Sequence, residues 1–561
     1  MRKKLYSLVI LFLILPVRTF AQDDKLTADV FGKMHSIFTT QNFSGAGSNV
    51  SNLANTYDMS IFEFNLGGKQ STFNGSGITT NSNFPLTDGD AFSNNTEIGI
   101  LSTLSKDLKA GISAQFYTLV GDRTVGRTFG EELPWDNFPR DDSGAVKPHR
   151  ASLDIYNAFV EGKYEDFKYK ITGGTLTPRD LPEFTRKEMN QVKLGSFVYR
   201  TPITNASFFE KEDRKIEEGR HPLRGLDFIG DYLYLDDKSI HVEIFGGETK
   251  PTPLSDIDRD VWGTRTAIDI LKGNIGAAYV FNRGVRDNTS VDENQGVWSI
   301  DSSYNVQDWL VPYFTFAQTR YERENTGEKH KDNAYVAGTL IKLPHKYEVK
   351  TQYQHVEENY DLMAIHKSEH YPTNSHGANV QVTVPATDNL KFKGTFYALQ
   401  QLDITNPAGD TLFGDSFFPA LANSEKGRIQ VQRLSGDWKL NPKLSFNGYV
   451  EHARFKKKAA TSPTSIDKDV YNFYTNLVYA LMDKLNLELG FRHFQSLGEW
   501  QAMSFDSYQD IPEIAVTYKF NKESSAHLIY HYYNFEDENT VAQGRNDYYG
   551  NQLMLDVKIY F

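Results

Sequence analysis

The sequence predicts an all-β chain: a transmembrane, antiparallel, up-and-down β-barrel of about 22 strands, within a range of roughly 18 to 24. Three observations lead there. Apolar and polar residues alternate along most of the chain, ten very short turns punctuate the alternating stretches, and an export signal precedes a chain with no later apolar run long enough for a spanning helix.

The first 21 residues carry the marks of an export signal. Arg2, Lys3 and Lys4 form a positive head, Leu5 to Leu15 is almost wholly apolar, and Thr19-Phe20-Ala21 offers small residues at the first and third positions of a cleavage site. This predicts a signal peptide over 1–21 and a mature chain from Gln22. The chain has no Cys, which excludes lipoprotein processing, disulfides and thiolate metal sites. An exported chain without a helical span is either secreted or a membrane barrel. The mean hydropathy of -0.51 suits both, because half of every barrel strand faces water.

Aromatic content discriminates better. The 31 Tyr and 38 Phe suit strands and interfacial girdles. The net charge of -12, to which the signal peptide contributes only basic residues, argues against a nucleic-acid partner.

Residues 22–56 are polar and rich in Gly, Ser and Asn, and are expected to form an N-terminal periplasmic lead-in, a partial plug or an extra strand, with Val30-Phe31 and Ile37-Phe38 as one short strand. The barrel is expected over 57–561. Its tight turns are read at 105–107, 163–166, 236–238, 272–273, 306–308, 343–345, 386–388, 441–442, 482–483 and 521–523, each flanked by alternating residues. Ten hairpins, a last strand and a first strand at Asp58 to Leu66 make 22. The apolar files include Leu108, Ala110, Ile112, Ala114 and Phe116, then Ile275, Ala277, Tyr279 and Phe281, then Leu485, Leu487, Leu489 and Phe491. In Arg428 to Lys439 the phase switches near Arg433, which predicts a bulge there.

The other connections are expected to be long and extracellular. Pro178 to Arg224 is the longest. Within it Ser207 and Glu210 form a capping box, and Gly219 a stop, for a short helix able to fold into the lumen.

No nucleophile-elbow motif accompanies the histidines, so enzyme activity and cofactors are not expected. The stretch His366-Lys367-Ser368-Glu369-His370, with His376, gives metal-ligand candidates in an irregular loop. If the apolar files face lipid, the opposite files line the interior. These predict Glu243, Glu348, Lys350, Lys391, Lys393, Glu451, Glu488, Arg492, Lys519, His527 and His531 as lumen-lining, with Asp556 and Lys558 beside them. The signs are mixed, so no one-sign selectivity ring is expected.

Leu553, Leu555, Val557, Ile559 and Phe561 form a terminal apolar file that ends on an aromatic. It resembles the closing strand of a bacterial outer-membrane barrel, in which a final Phe is habitual and serves as the assembly signal. Phe20-Ala21-Gln22, the tyrosine-rich strands, and the stretches from Tyr169 to Phe184 and His221 to Lys250 resemble an uncharacterised family of porin-like outer-membrane barrels from Bacteroidota. The resemblance implies an outer-membrane location, with lipid, the barrel assembly machinery and other outer-membrane proteins as partners.

The expected function is a porin-like channel for passive diffusion of small hydrophilic solutes. The alternative is a non-conducting barrel that acts as scaffold or accessory subunit in an outer-membrane complex. About 35 residues before the first expected strand leave no room for the large plug domain of an energised transporter.

Overall fold

The computed structural model describes residues 27–45, 72–74, 77–79, 89–121, 150–176, 181, 223–235, 237–249, 259–286, 291–324, 326–360, 371, 373–404, 425–458, 465–500, 503–537 and 548–561. In chain order the strands begin with β1 (Thr27–Gly45), the short pair β2 (Thr72–Asn74) and β3 (Gly77–Thr79), β4 (Gly89–Ser105), β5 (Leu108–Gly121) and β6 (Arg150–Tyr164). Next come β7 (Phe167–Leu176), β8 (Leu223–Leu235), β9 (Lys238–Thr249), β10 (Arg259–Ile270), β11 (Gly273–Arg286) and β12 (Val291–Tyr304). These are followed by β13 (Leu310–Arg323), β14 (Glu328–Lys342), β15 (Glu348–Val356), β16 (Ser375–Thr387), β17 (Leu390–Gln401) and β18 (Arg428–Asn441). The last are β19 (Leu444–Lys457), β20 (Ile466–Met482), β21 (Leu485–Trp500), β22 (Met503–Lys519), β23 (Ser525–Asp537) and β24 (Tyr548–Tyr560).

Apart from β2 and β3, which pair only with each other, every strand joins one 22-stranded sheet, each antiparallel to its neighbours. The sheet closes because β1 pairs with both β24 and β4. Closure removes every unpaired edge, which a strand in hydrocarbon could not leave unsatisfied.

Among the described residues the first barrel strand is therefore β1, upstream of the start expected at residue 57. Within the segment 22–56, expected as a lead-in, a partial plug or an extra strand, residues 27–45 form a barrel strand. The expected first strand at Asp58 to Leu66 lies outside the described residues, and the barrel closes without it. The alternation of β1 is diluted by Gly32, Ser36 and Thr40 on one file and by Ile37 on the other, which hid its length.

All ten expected turns connect sequential strands, through two to five residues, at one end of the barrel. The other end carries longer connections, up to 177–222, but not uniformly: only two residues, 501 and 502, separate Trp500 of β21 from Met503 of β22. Several turns need a left-handed residue, supplied by Glu165, Leu271, His345 and Lys346.

Side-chain burial is inverted relative to a water-soluble protein. Ile98, Ile112, Ile244, Val450, Leu489 and Ile514 are exposed, while Glu243, Gln295, Gln354, Lys468 and Gln509 are fully buried. In a closed barrel the two faces of each strand are outside and inside, so the apolar files form an outer belt. A bilayer is the solvent that such a belt fits. Aromatic clusters stud it: Trp262 packs on Phe281 at 5.1 Å and Trp298 on Phe316 at 5.3 Å.

Toward the loop end the outer face turns polar. On β18 the outward file runs from Leu440, Trp438 and Leu434 to Gln432, Gln430 and Arg428, while the inward file runs from Asp437 and Arg433 to Val431 and Ile429. This crossover explains the phase switch read at Arg433. No bulge occurs there: Arg433 stays in register with Thr395 on one side and Glu451 on the other. The irregularity lies at Lys439/Asn441, beside the turn. The strand simply leaves the bilayer, and both of its faces change solvent.

Candidate functional site: the lumen wall

The inward files of the strands make the wall. The predicted residues all share the inward parity of their strands: Glu243 with Phe245 on β9, Glu348 and Lys350 with Gln352 on β15, and Lys391 and Lys393 with Thr395 on β17. Glu451 shares it with Ala453 on β19, Glu488 and Arg492 with Phe494 on β21, Lys519 with Ala515 on β22, and His527 and His531 with Tyr533 on β23.

Ionisable side chains pair across this wall. His531 Nε2 lies 2.6 Å from Glu513, and His527 Nε2 lies 3.9 Å from Glu488, which accepts a hydrogen bond from the Thr517 hydroxyl at 2.7 Å. The Arg433 guanidinium sits 3.6 Å above the Tyr449 ring and 3.6 Å from Glu451. Arg492 lies 4.4 Å above Tyr474, which packs on Tyr449 at 5.6 Å. Guanidinium planes on tyrosine faces are held rigid by cation–π attraction.

Sequence reasoning missed other members. Arg265 on β10 makes a bidentate pair with Asp301 on β12, at 2.6 and 3.0 Å, and so reaches across β11. The bridge is possible because Gly276 stands between them: a Cβ there would come within 2.7 Å of Arg265 Nη2 and 2.8 Å of Asp301 Oδ1. His241 pairs with Asp231 at 2.7 Å, and His35 reaches Asp556, itself expected on the wall, at 2.7 Å across the closing seam. A charge at the polar phase of an otherwise apolar alternation was the available signal, as with Arg265 between Trp262 and Ile268.

The two ends of the wall differ. Near the turns, Glu348, Lys350, Lys391, Lys393 and Lys519 are exposed. Near the loops, the inward face is packed, with apolar clusters beside buried polar groups such as Glu293, Gln295, Lys457 and Lys468. Val297, Ala317, Ala334, Val336 and Val356 form one cluster with Tyr360 and Tyr371, which belong to the connection between β15 and β16. Tyr313 crosses Gly338 to donate its hydroxyl to Gln352 at 3.0 Å, and Gln352 donates to the Tyr371 hydroxyl at 3.4 Å. Tyr360 and Tyr371, among the described residues of this connection, therefore pack inside the barrel. Leu181, at the start of the long connection after β7, is buried in a second cluster with Leu176, Leu223, Phe245, Val261, Ala278 and Val280. The expected helix from Ser207 to Gly219 lies outside the described residues. Burial raises the Glu358 carboxyl above the usual carboxylate range, and the like charges of Asp403 and Asp332 add to it.

His366 and His370 also lie outside the described residues. His376 is on the outward face of β16, facing away from the lumen, with its ring against Tyr353. Among the described residues no group of three or more His, Cys, Asp or Glu side chains is placed to hold a metal ion.

No protein-family model matches the sequence, and no curated protein matches it. Several solved structures are similar to the chain at low identity. OpdK of Pseudomonas aeruginosa, crystallised with vanillate, is 8% identical with a TM-score of 0.35, over 95% of this chain and 99% of that one. OccAB1 of Acinetobacter baumannii is 10% identical at 0.38, over 95% and 97%. The siderophore receptor PirA of Pseudomonas aeruginosa is 8% identical at 0.37, over 95% and 81%. At such scores the functional reading rests on the strands and side chains of this chain.

Proposed function

We propose that the chain is a porin-like channel for passive diffusion of small hydrophilic solutes, set in the outer membrane of a Bacteroidota-type bacterium as the sequence resemblance implies. The observation that carries this reading is the inner wall: a 22-stranded barrel whose inward files hold paired charges, with exposed Lys and Glu side chains at the turn end. A barrel of that strand number is too wide for wall side chains alone to fill. Leu181, Tyr360 and Tyr371, packed on the inward face at the loop end, then narrow the path, and the charged turn end forms its hydrated vestibule.

The packed loop end also favours a second reading, a sealed barrel that serves as scaffold for other outer-membrane proteins. Reconstitution in planar bilayers separates the two. Steady ohmic current from folded protein supports the channel. A silent folded barrel that co-purifies with other membrane proteins supports the scaffold.

A further inference from the structure

We infer that His355 and His376 form a binding site for one d-block divalent cation, such as zinc or copper(II), on the outer collar of the barrel. The two residues are directly opposed in the antiparallel register of β15 and β16, on the outward face, at the root of the connection between those strands. Their ring centroids are 6.4 Å apart. Two imidazoles on one tetrahedral zinc, with nitrogen–metal distances of about 2.0–2.1 Å, put the centroids about 5 Å apart. A modest rotation of either ring closes the difference, and both rings are partly open to solvent.

Both rings are oriented by tyrosines. His355 stacks on Tyr335 at 5.0 Å with an interplanar angle of 9°. His376 Nδ1 lies 3.1 Å from the Tyr353 hydroxyl. With Nδ1–H donating to that oxygen, Nε2 presents its lone pair, the arrangement in which a ligating histidine is held by an oxygen on its other nitrogen. Imidazole nitrogen selects zinc, copper or nickel over magnesium or calcium. Glu357, two residues past His355, is committed elsewhere: its carboxylate accepts from the Asn333 backbone N–H at 2.7 Å and from the Asn333 side chain at 3.1 and 3.2 Å. Water completes the coordination sphere. Gln400, paired with His376 in register on β17, stands next on the same face.

The site clamps the last paired residues of β15 to the first of β16, and so fixes the root of the connection between them. Titration calorimetry of the detergent-folded full chain with zinc tests it. One zinc per barrel is expected, with affinity reduced at least tenfold in His355→Ala and in His376→Ala, and unchanged in the double variant His366→Ala/His370→Ala. Copper(II) electron paramagnetic resonance should show two coordinated imidazole nitrogens in the wild type and one in either single variant. Heat-modifiable migration confirms that each variant is folded. No zinc uptake by the wild type, wild-type affinity in His355→Ala, or loss only in the His366/His370 variant overturns the proposal and leaves the two rings as girdle packing.

Discussion

Phe561 and Gly32 join the two ends of the barrel. Each donates its backbone N–H to the other's carbonyl, at 2.9 and 2.8 Å, and the Phe561 ring lies across Gly32, where any Cβ would collide with it. The terminal apolar file is thus seated against the first strand, with the Phe561 ring occupying the space a side chain at Gly32 would take.

Seam integrity should be sensitive to both partners. Deleting Phe561 removes one of the last ladder pairs and the ring that covers Gly32. Val557→Asp places a charge on the outward file, where basic residues cost about 2–4 kcal/mol at the bilayer midplane and acids less. Both variants should yield less heat-modifiable barrel than wild type on unboiled gels. Wild-type yields from both would remove the assembly role from this file.

The bridge across β11 makes a second prediction. Asp301→Asn removes the charge that Arg265 meets inside the wall, and hydrogen bonds to charged groups contribute about 1.5–3 kcal/mol. Gly276→Val should produce a similar loss by wedging the pair apart while both partners remain. Urea unfolding in detergent or liposomes measures both. A loss in Asp301→Asn with none in Gly276→Val would show that the bridge does not need the glycine.

The connection between β15 and β16 should respond to pH. Glu358 is held above its ordinary range by burial, so the folded state takes up a proton more readily than the unfolded one. The stabilisation is complete below the ordinary carboxylate range and is lost as pH rises through the raised value. Open-channel current noise should therefore be lower in mildly acidic buffer than at neutral pH. Glu358→Gln should abolish the difference. Tyr360→Ala, which empties a fully buried position in the same connection, should raise both conductance and noise at every pH.

Much of this architecture was legible in the sequence because a barrel strand has a period of two and a turn has few residue choices. The ten turns and the outward files of β5, β11 and β21 follow from that alone. Two features were not legible. The first strand lacks a clean apolar file, so 27–45 resembled a lead-in. The crossover on β18 resembled a bulge, because alternation reports which face is apolar and not whether the surrounding solvent has changed from lipid to water. At the site, parity placed Glu488 and His531 on the wall, but their partners Thr517 and Glu513 come from the neighbouring strand and emerge only with the register. The reach of Arg265 over Gly276 likewise joins strands that are not adjacent.

The central claim is that solute and ions pass along the inward files. It is tested most directly by the reversal potential in a salt gradient across a planar bilayer, comparing wild type with the triple variant Lys350→Glu/Lys391→Glu/Lys393→Glu and with Lys456→Glu on the outward face of β19. The wild type should pass steady current, the triple variant should shift toward cation preference, and Lys456→Glu should match wild type. Absence of current from folded wild-type barrel, or identical reversal potentials in wild type and triple variant, would contradict it.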